Sequence, residues 1–322
     1  MSLGATLVAS LLATLSQPAT WPLALAAFLV RGGILLVAAP IIVVPSAVGV
    51  ANVVTPTVST FVFGGLSAGL VALALGTFAL CLVWLILGGL VAAAAELEVI
   101  ARIVRDDAVP VEAHVRTEVV SSTRLAARIL VARLVAHVPT IVALGWATVR
   151  LVEVAYLELT QPLDVTLPLV VRVIQGAPDA AAAVLVAWVV GEMVGAIAAR
   201  RVGLADAGVW RAVGGAVRRV VLHPVRAIVL YGVPTAGLLV VLVPSAFAAA
   251  SGWDAVRVAL TEDVGPLATI LTLTVFVGLW AGGLVLASAM TGWRAAAWTV
   301  DAAARVRVIT DPPTRGEAYA EA

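Results

Sequence analysis

The sequence predicts an all-α fold, a polytopic membrane bundle of six transmembrane helices. Its 322 residues are 62% hydrophobic and only 12% charged, and the mean hydropathy is +1.10. Soluble domains are usually about 45–50% apolar and about 25% charged. Residues 1–95 contain a single charge, Arg31. This composition excludes a soluble enzyme, a disordered protein, a coiled coil and a nucleic-acid-binding protein.

Apolar stretches long enough to cross a bilayer recur along the chain. A spanning helix needs about 20 apolar residues. The six predicted spans are, in chain order, 27–50, 66–95, 134–158, 178–199, 226–250 and 266–291. We therefore expect a single transmembrane domain over 1–308, followed by a disordered polar cytoplasmic tail over 309–322.

The distribution of arginine predicts the orientation of the spans. All 20 basic residues are arginines. They concentrate in 102–133, in 200–226 and after residue 291, whereas the intervening loops carry few arginines and more acidic residues. Because arginine-rich loops stay in the cytoplasm, both termini are predicted to be cytoplasmic. The expected location is the inner membrane of a prokaryotic cell.

Segments with a polar and an apolar side precede the odd-numbered spans. They cover 3–17, 112–133 and 206–222, and each is predicted to be an amphipathic helix in the cytoplasmic interface. In the first segment, leucine recurs every four residues opposite threonine and serine. In the last segment, Asp206 is the predicted N-cap and the valines form the predicted apolar face.

The order of amphipathic segment, odd span, outer loop and even span occurs three times. It is consistent with three parallel repeats of about 100 residues, over 1–103, 104–202 and 203–302. Short matches support the repeats, because Val-Pro-Ser-Ala occurs at 44–47 and again at 243–246. Since each repeat begins and ends inside, any pseudo-symmetry axis is expected along the membrane normal.

Arginines of two predicted interfacial segments are candidate contacts for anionic lipid headgroups. A basic residue near an anionic membrane surface contributes about 1 kcal/mol. Membrane lipid is therefore the predicted partner. The candidates are Arg116, Arg124, Arg128, Arg211, Arg218 and Arg219.

Glu192 lies inside the fourth predicted span, about two turns before Arg200. A carboxylate at this depth is costly unless it is paired, protonated or facing water. Arg31, Arg133 and His137 lie at a similar depth on odd spans and are candidate partners. A structural ion pair, an interfacial glutamate and a proton- or cation-coupling site all fit the sequence at this point.

Glycine pairs with G-x-x-x-G spacing occur at Gly65 and Gly69, at Gly191 and Gly195, and at Gly278 and Gly282. Small residues at this spacing allow two helix backbones to approach closely. The first pair also matches G-x-S-x-G, but a nucleophile elbow needs a strand-to-helix turn and a histidine base. We therefore predict helix packing at these positions and no catalytic site.

Metal-ligating and redox-active residues are sparse in the sequence. Cys81 is the only cysteine, which excludes an intrachain disulfide, a cysteine-based zinc site and an iron–sulfur cluster. His137 and His223 have no acidic or cysteine ligand at a fixed spacing. We predict no metal site, no cofactor and no enzymatic activity.

Several segments carry a resemblance to a known group. They are 206–211 (Asp-Ala-Gly-Val-Trp-Arg), Leu222–Pro224 and the even-span ends 199–201 and 292–294. The chain resembles the poorly characterised bacterial and archaeal membrane proteins related to the membrane domain fused to some glycerophosphodiester phosphodiesterases. The sequence has no segment long enough for a phosphodiesterase domain. The resemblance therefore implies an accessory membrane role and no catalytic residue.

Two functions remain for this chain. The first is an integral membrane protein that organises lipid or a membrane-protein partner, a second copy of the chain included. The alternative is a transporter or channel for a small or apolar solute, with Glu192 in the pathway. A membrane enzyme acting on lipid or isoprenoid substrates fits less well, because no Asp-rich or His-rich group marks a site at the interface.

Overall fold

The computed structural model describes residues 1–38, 41, 67–105, 122–161, 169–262 and 265–306. All regular structure in these residues is helical. The α-helices are α1 (Leu3–Ser16), α2 (Trp21–Phe28), α3 (Ile34–Ala38), α4 (Ala68–Val83), α5 (Gly89–Val104), α6 (Thr123–Ala136), α7 (Val138–Thr160), α8 (Leu169–Gly176), α9 (Pro178–Ala205), α10 (Val209–Leu222), α11 (Pro224–Thr261) and α12 (Pro266–Val306).

Long apolar helical segments confirm the predicted fold class. Six are long and apolar enough to cross a membrane: Pro18–Ala38, Ala68–Val104, Val138–Glu158, Pro178–Ala205, Pro224–Thr261 and Pro266–Ala304. Large apolar side chains remain exposed along these helices, for example Leu80, Val142 and Val240. An apolar surface of this extent suits contact with lipid chains rather than with water. The chain is therefore an integral membrane protein with an all-α helical bundle.

Two helices are much longer than the spans predicted for them. α11 has 38 residues and α12 has 41, whereas about 20 residues cross the hydrocarbon core. The predicted sixth span stops at 291, because Arg294 and Asp301 follow it. The helix nevertheless continues, since neither glycine nor proline interrupts 293–306, and Ala296–Ala303 is buried in protein.

The first predicted span, 27–50, is broken near its start. A π-helical turn over Leu29–Gly33 separates α2 from α3, and Gly32 has φ +105°. This left-handed conformation is accessible to glycine at little cost. The remainder of the predicted span, apart from Ile41, lies outside the described residues.

Tryptophan indoles cap the carbonyl groups at the helix breaks of this region. Trp84 Nε1 donates to the carbonyl oxygen of Val30 (3.1 Å) and Trp280 Nε1 to that of Val37 (3.3 Å). Trp21 Nε1 donates to the carbonyl oxygen of Thr14 (2.8 Å), near the end of α1. Hydrocarbon offers no water to such groups, so a protein donor must replace the lost helical hydrogen bond.

The described residues form two compact units. The first contains 1–13, 100–233 and 296–306. In it, α9 packs against α6, α7 and α10. One core cluster joins the ends of three helices, with Ile100 and Val104 from α5, Leu204 from α9 and Ala302 from α12.

The second unit contains 14–99 and 234–295. Its core packs Ala249 and Val256 of α11 against Phe276 of α12. The rings of Trp253 and Phe276 lie 5.3 Å apart and are tilted at 50°. A Cβ on Gly283 would lie 2.8 Å from Ser245 Cβ, so this glycine allows α11 and α12 to approach closely.

The polar side of α1 faces protein. Thr6 and Ser10 are fully buried, whereas Val8 and Leu12 are 59% exposed. Thr6 Oγ1 donates to the carbonyl oxygen of Ser2 (3.0 Å). In a water-soluble protein the apolar side of such a helix would face the core and the polar side would face water. The observed arrangement suits a helix whose apolar side contacts lipid.

Candidate functional site

Helix α10 presents three different sides. The small residues Ala212 and Ala216 are completely buried. At 3.6 residues per turn, Trp210, Val217 and Val221 fall on a second side, and all three are exposed. The valines of α10, predicted to form one apolar face, divide between two environments. Val209, Val213 and Val220 are half-buried, whereas Val217 and Val221 are exposed beside Trp210.

The third side of α10 carries positive charge. Arg211 and Arg218 are exposed there, and the helix contains no acidic residue. Neither guanidinium group has a carboxylate partner among the described residues. Next to them, Trp210 is 76% exposed. An exposed tryptophan beside unpaired arginines is typical of a helix in a membrane interface.

Two of the predicted lipid contacts, Arg128 and Arg219, form ion pairs within the protein. Arg219 forms an ion pair with Asp301 of α12. Arg128 of α6 donates to Asp206 Oδ1 (2.6 Å) and to the carbonyl oxygens of Asp206 (2.9 Å) and Ala207 (2.7 Å). Because both guanidinium groups have protein partners, Arg128 and Arg219 hold α10 against its neighbours. They add little to the exposed positive charge of α10.

Asp206 differs from its predicted role as the N-cap of α10. It adopts φ 50° at the C-terminal end of α9, and Gly208 occupies the N-cap position of α10. Aspartate tolerates this left-handed conformation better than most residues. Its carboxylate and its carbonyl group both accept hydrogen bonds from Arg128. These bonds stabilise the turn between α9 and α10 and so the orientation of α10.

The remaining predicted lipid contacts lie before or within α6. Arg124 is exposed in its first turn, and α6 packs against α10. Arg116 lies outside the described residues. Of the six predicted arginines, Arg124, Arg211 and Arg218 are thus the exposed ones in the described part of the chain.

Three of the four intramembrane polar candidates, Arg133, His137 and Glu192, lie near the junction of α6 and α7. His137 separates the two helices and its Nε2 lies 3.4 Å from Glu192 Oε1 of α9. Its Nδ1 lies 2.9 Å from the carbonyl oxygen of Arg133. A carbonyl oxygen only accepts, so Nδ1 carries hydrogen. Nε2 is therefore the ring nitrogen that faces the carboxyl group of Glu192.

Two glycines of α9 make room for this junction. A Cβ at Gly191 would lie 3.0 Å from His137 Cδ2 and 3.2 Å from the carbonyl oxygen of Ala136. At Gly195 it would lie 3.4 Å from Arg133 Cγ. Glu192 is between these glycines in sequence, and its side chain is only 12% exposed. The G-x-x-x-G pair at 191 and 195 therefore packs α6 closely onto α9.

Arg31 belongs to the second unit and pairs there with a different acid. Its Nη2 lies 2.6 Å from Glu96 Oε2 of α5, and the Glu96 side chain is 5% exposed. The residue lies in the break between α2 and α3. The ion pair thus joins the broken first span to α5.

The other predicted packing glycines do not make close contacts within the described residues. A Cβ at Gly69, Gly278 or Gly282 would meet no heavy atom within 4 Å. Gly65 lies outside the described residues. On α12 the close approach occurs one residue later, at Gly283, because a shift of one residue turns a helix position by 100°.

A buried ion-pair cluster of the first unit was not predicted. Asp301 of α12 is 1% exposed and accepts from Arg219 and from Arg226 Nε (2.8 Å). Arg226 Nη2 also donates to Thr6 Oγ1 (3.2 Å). The sequence does contain a signal for this cluster. Asp301 is the only acidic residue between 264 and 310, so it is the one candidate there for an ion pair with arginine.

An apolar pocket lies in the second unit, between α3, α11 and α12. Its lining contains no charged side chain. The polar groups of its wall already have partners. Ser245 Oγ donates to the carbonyl oxygen of Val241 (2.7 Å), and Trp280 Nε1 donates to that of Val37. The pocket therefore suits hydrocarbon better than a polar solute.

The described residues contain no group of three His, Cys, Asp or Glu side chains that could hold a metal ion. No protein-family model, curated protein or solved structure matches the chain.

Proposed function

We propose that this integral membrane protein is a lipid-organising accessory bundle whose helix α10 lies in the cytoplasmic interface and binds anionic lipid. The observation that carries the proposal is the outward surface of α10. It combines Trp210, Val217 and Val221 with the unpaired Arg211 and Arg218. The apolar side chains enter the acyl boundary, and the guanidinium groups reach the headgroups.

The location of the protein belongs to the same proposal. Arginine-rich segments remain in the cytoplasm, so α10 and both termini lie inside a prokaryotic cell, at its inner membrane. The resemblance to the membrane domain fused to some phosphodiesterases supports an accessory role and not a catalytic one. Membrane lipid is the proposed partner. A second proposed partner is another membrane protein or a second copy of the chain.

Lipid retention by the purified protein tests this proposal. Arg211→Gln with Arg218→Gln removes two charges worth about 1 kcal/mol each near an anionic surface. We expect roughly thirtyfold weaker retention of anionic lipid, measured as bound phosphatidylglycerol per protein by mass spectrometry. The matched control is Arg150→Gln with Arg257→Gln, which removes two exposed arginines that already have acidic partners. Equal retention in both double variants would contradict the proposal.

A second candidate function is transport coupled to proton movement. The contact between the His137 imidazole and the Glu192 carboxyl group, which can both bind and release protons, favours it, and the uncharged lining of the pocket favours an apolar solute. In proteoliposomes with an internal pH dye, the wild type should then dissipate a pH gradient, and Glu192→Gln should abolish this flux. Glu153→Gln, at an exposed position of α7, is the control. Equal flux in the wild type and in Glu192→Gln would exclude this role for Glu192.

A further inference from the structure

Arg201, near the end of α9, lies directly on helix α10. A Cβ at Gly215 would collide with the guanidinium atoms Cζ, Nη1 and Nη2 of Arg201. The neighbouring glycine of the same helix, Gly214, has no heavy atom within 4 Å of the corresponding position. Gly215 therefore provides the space that this guanidinium group occupies.

This position places Arg201 between two further arginines. Arg211, Gly215 and Arg218 are separated by four and three residues and share one side of α10. The guanidinium group that covers Gly215 therefore has an arginine one turn before it and another one turn after it. Arg219 is not part of this group, because it turns inward and pairs with Asp301.

None of these three guanidinium groups has a hydrogen-bond or carboxylate partner in the described part of the chain. The Nε atom of Arg201 is buried and lacks an acceptor there. Buried donors without an acceptor are costly, and three neighbouring positive charges repel each other. An anion with several acceptor oxygens would remove both costs.

We propose that Arg201, Arg211 and Arg218 form a phosphate-binding site that takes the phosphate group of an anionic lipid. The planar guanidinium group matches the oxygens of phosphate in bidentate geometry. The lipid as its source follows from the adjoining side of α10, where Trp210 and Val217 are exposed and where acyl chains attached to the phosphate would lie. The site rests on the proposed function, since it needs α10 in the interface.

The adjacent glycines provide the test. Gly215→Ala displaces Arg201 without removing a charge, whereas Gly214→Ala makes the same change one residue earlier in open space. Arg201→Gln removes the guanidinium group itself. Full-length protein in detergent is titrated with short-chain phosphatidic acid and with inorganic phosphate, and heats of binding are measured. Thermal unfolding of each variant confirms that it is folded.

We expect the wild type and Gly214→Ala to bind phosphatidic acid equally, and Gly215→Ala and Arg201→Gln to bind it at least about tenfold more weakly. Equal affinity in all four proteins would overturn the site. Inorganic phosphate that binds the wild type as tightly as phosphatidic acid would overturn the lipid as the source.

The same titration separates this site from the proposed function. If the double variant of Arg211 and Arg218 loses phosphatidic acid while Gly215→Ala and Arg201→Gln retain it, the site is wrong and the interfacial role of α10 stands. If the double variant also binds phosphatidic acid like the wild type, both proposals fail.

Discussion

Asp301 is the most completely buried acid among the described ion pairs, and its partners come from two other helices. It is 1% exposed and accepts hydrogen bonds from Arg219 and Arg226. A buried ion pair is weak evidence for net stability, but removing one partner leaves charge behind in a low dielectric. Glu192 was identified from the sequence because it is the one charge in the interior of its predicted span, where Asp179 lies at the outer end. Asp301 was missed because Arg294 precedes it and marks the predicted membrane boundary.

Asp301→Asn should destabilise the first unit. The change leaves two guanidinium groups without their carboxylate, which we expect to cost about 3 kcal/mol. Denaturant titration in detergent measures the free energy of unfolding. Asp254→Asn is the matched control, because Asp254 is 72% exposed and its pair with Arg257 is long, at 3.5 Å. A loss no larger than that of the control would contradict the structural role of Asp301.

Glycine packing also acts at the scale of single residues. Gly191→Ala inserts a methyl group against His137 and the Ala136 carbonyl oxygen, and overpacking of this kind costs about 1–3 kcal/mol. Gly278→Ala, in the open, should be neutral or slightly stabilising because alanine is the better helix former. The same unfolding measurement compares the two. Equal effects would mean that the 191–195 pair is not a packing contact.

At the scale of elements, hydropathy predicted where the spanning helices are but not which of their sides contact protein. Both lipid and protein core are apolar, so valine and leucine suit either environment. On α10 the small Ala212 and Ala216 are buried, whereas Val217 and Val221 are exposed, so apolar character alone does not identify the side that contacts protein. Helix length was underestimated for a different reason, since charged residues end a hydropathy window without ending the helix.

The break between α2 and α3 makes the tryptophan caps testable. Trp84→Phe and Trp280→Phe each remove one indole donor from a carbonyl group, which should cost about 1–3 kcal/mol per site. The decrease is measured as thermal stability in detergent. Trp146→Phe is the control, because Trp146 is half-exposed on α7 and its indole has no partner among the described residues. If all three variants behave alike, the indole hydrogen bonds to Val30 and Val37 do not stabilise the protein.

At the scale of the whole molecule, acid–base pairs recur along the chain. An acid on α5, α9 or α12 pairs with a base located earlier in the chain: Arg31 with Glu96, His137 with Glu192, and Arg226 with Asp301. This order is compatible with the three predicted repeats, which stay a prediction. The three acids do not occupy equivalent positions in the predicted repeats, because they lie at different distances from Trp84, Trp188 and Trp280.

The orientation of the bundle can be tested from both sides. In a Cys81→Ser background, Arg211→Cys should react with a membrane-impermeant thiol reagent from the cytoplasmic side only. Arg257→Cys should react from the outer side only, because it lies 33 residues beyond Pro224 on α11, about 50 Å along the helix. Right-side-out and inverted vesicles provide the two sides. Reactivity of both positions from one side would contradict the six-span arrangement.

The depth of helix α10 tests the central claim most directly. A fluorophore on Val217→Cys, in the Cys81→Ser background, reports the surroundings of the exposed apolar side of α10 in nanodiscs. We predict strong quenching by brominated lipid and weak quenching by aqueous iodide, with the opposite result for the label on Asp254→Cys. A label at 217 that iodide quenches as freely as the one at 254 would show that α10 faces water, and the interfacial lipid-binding role would be wrong.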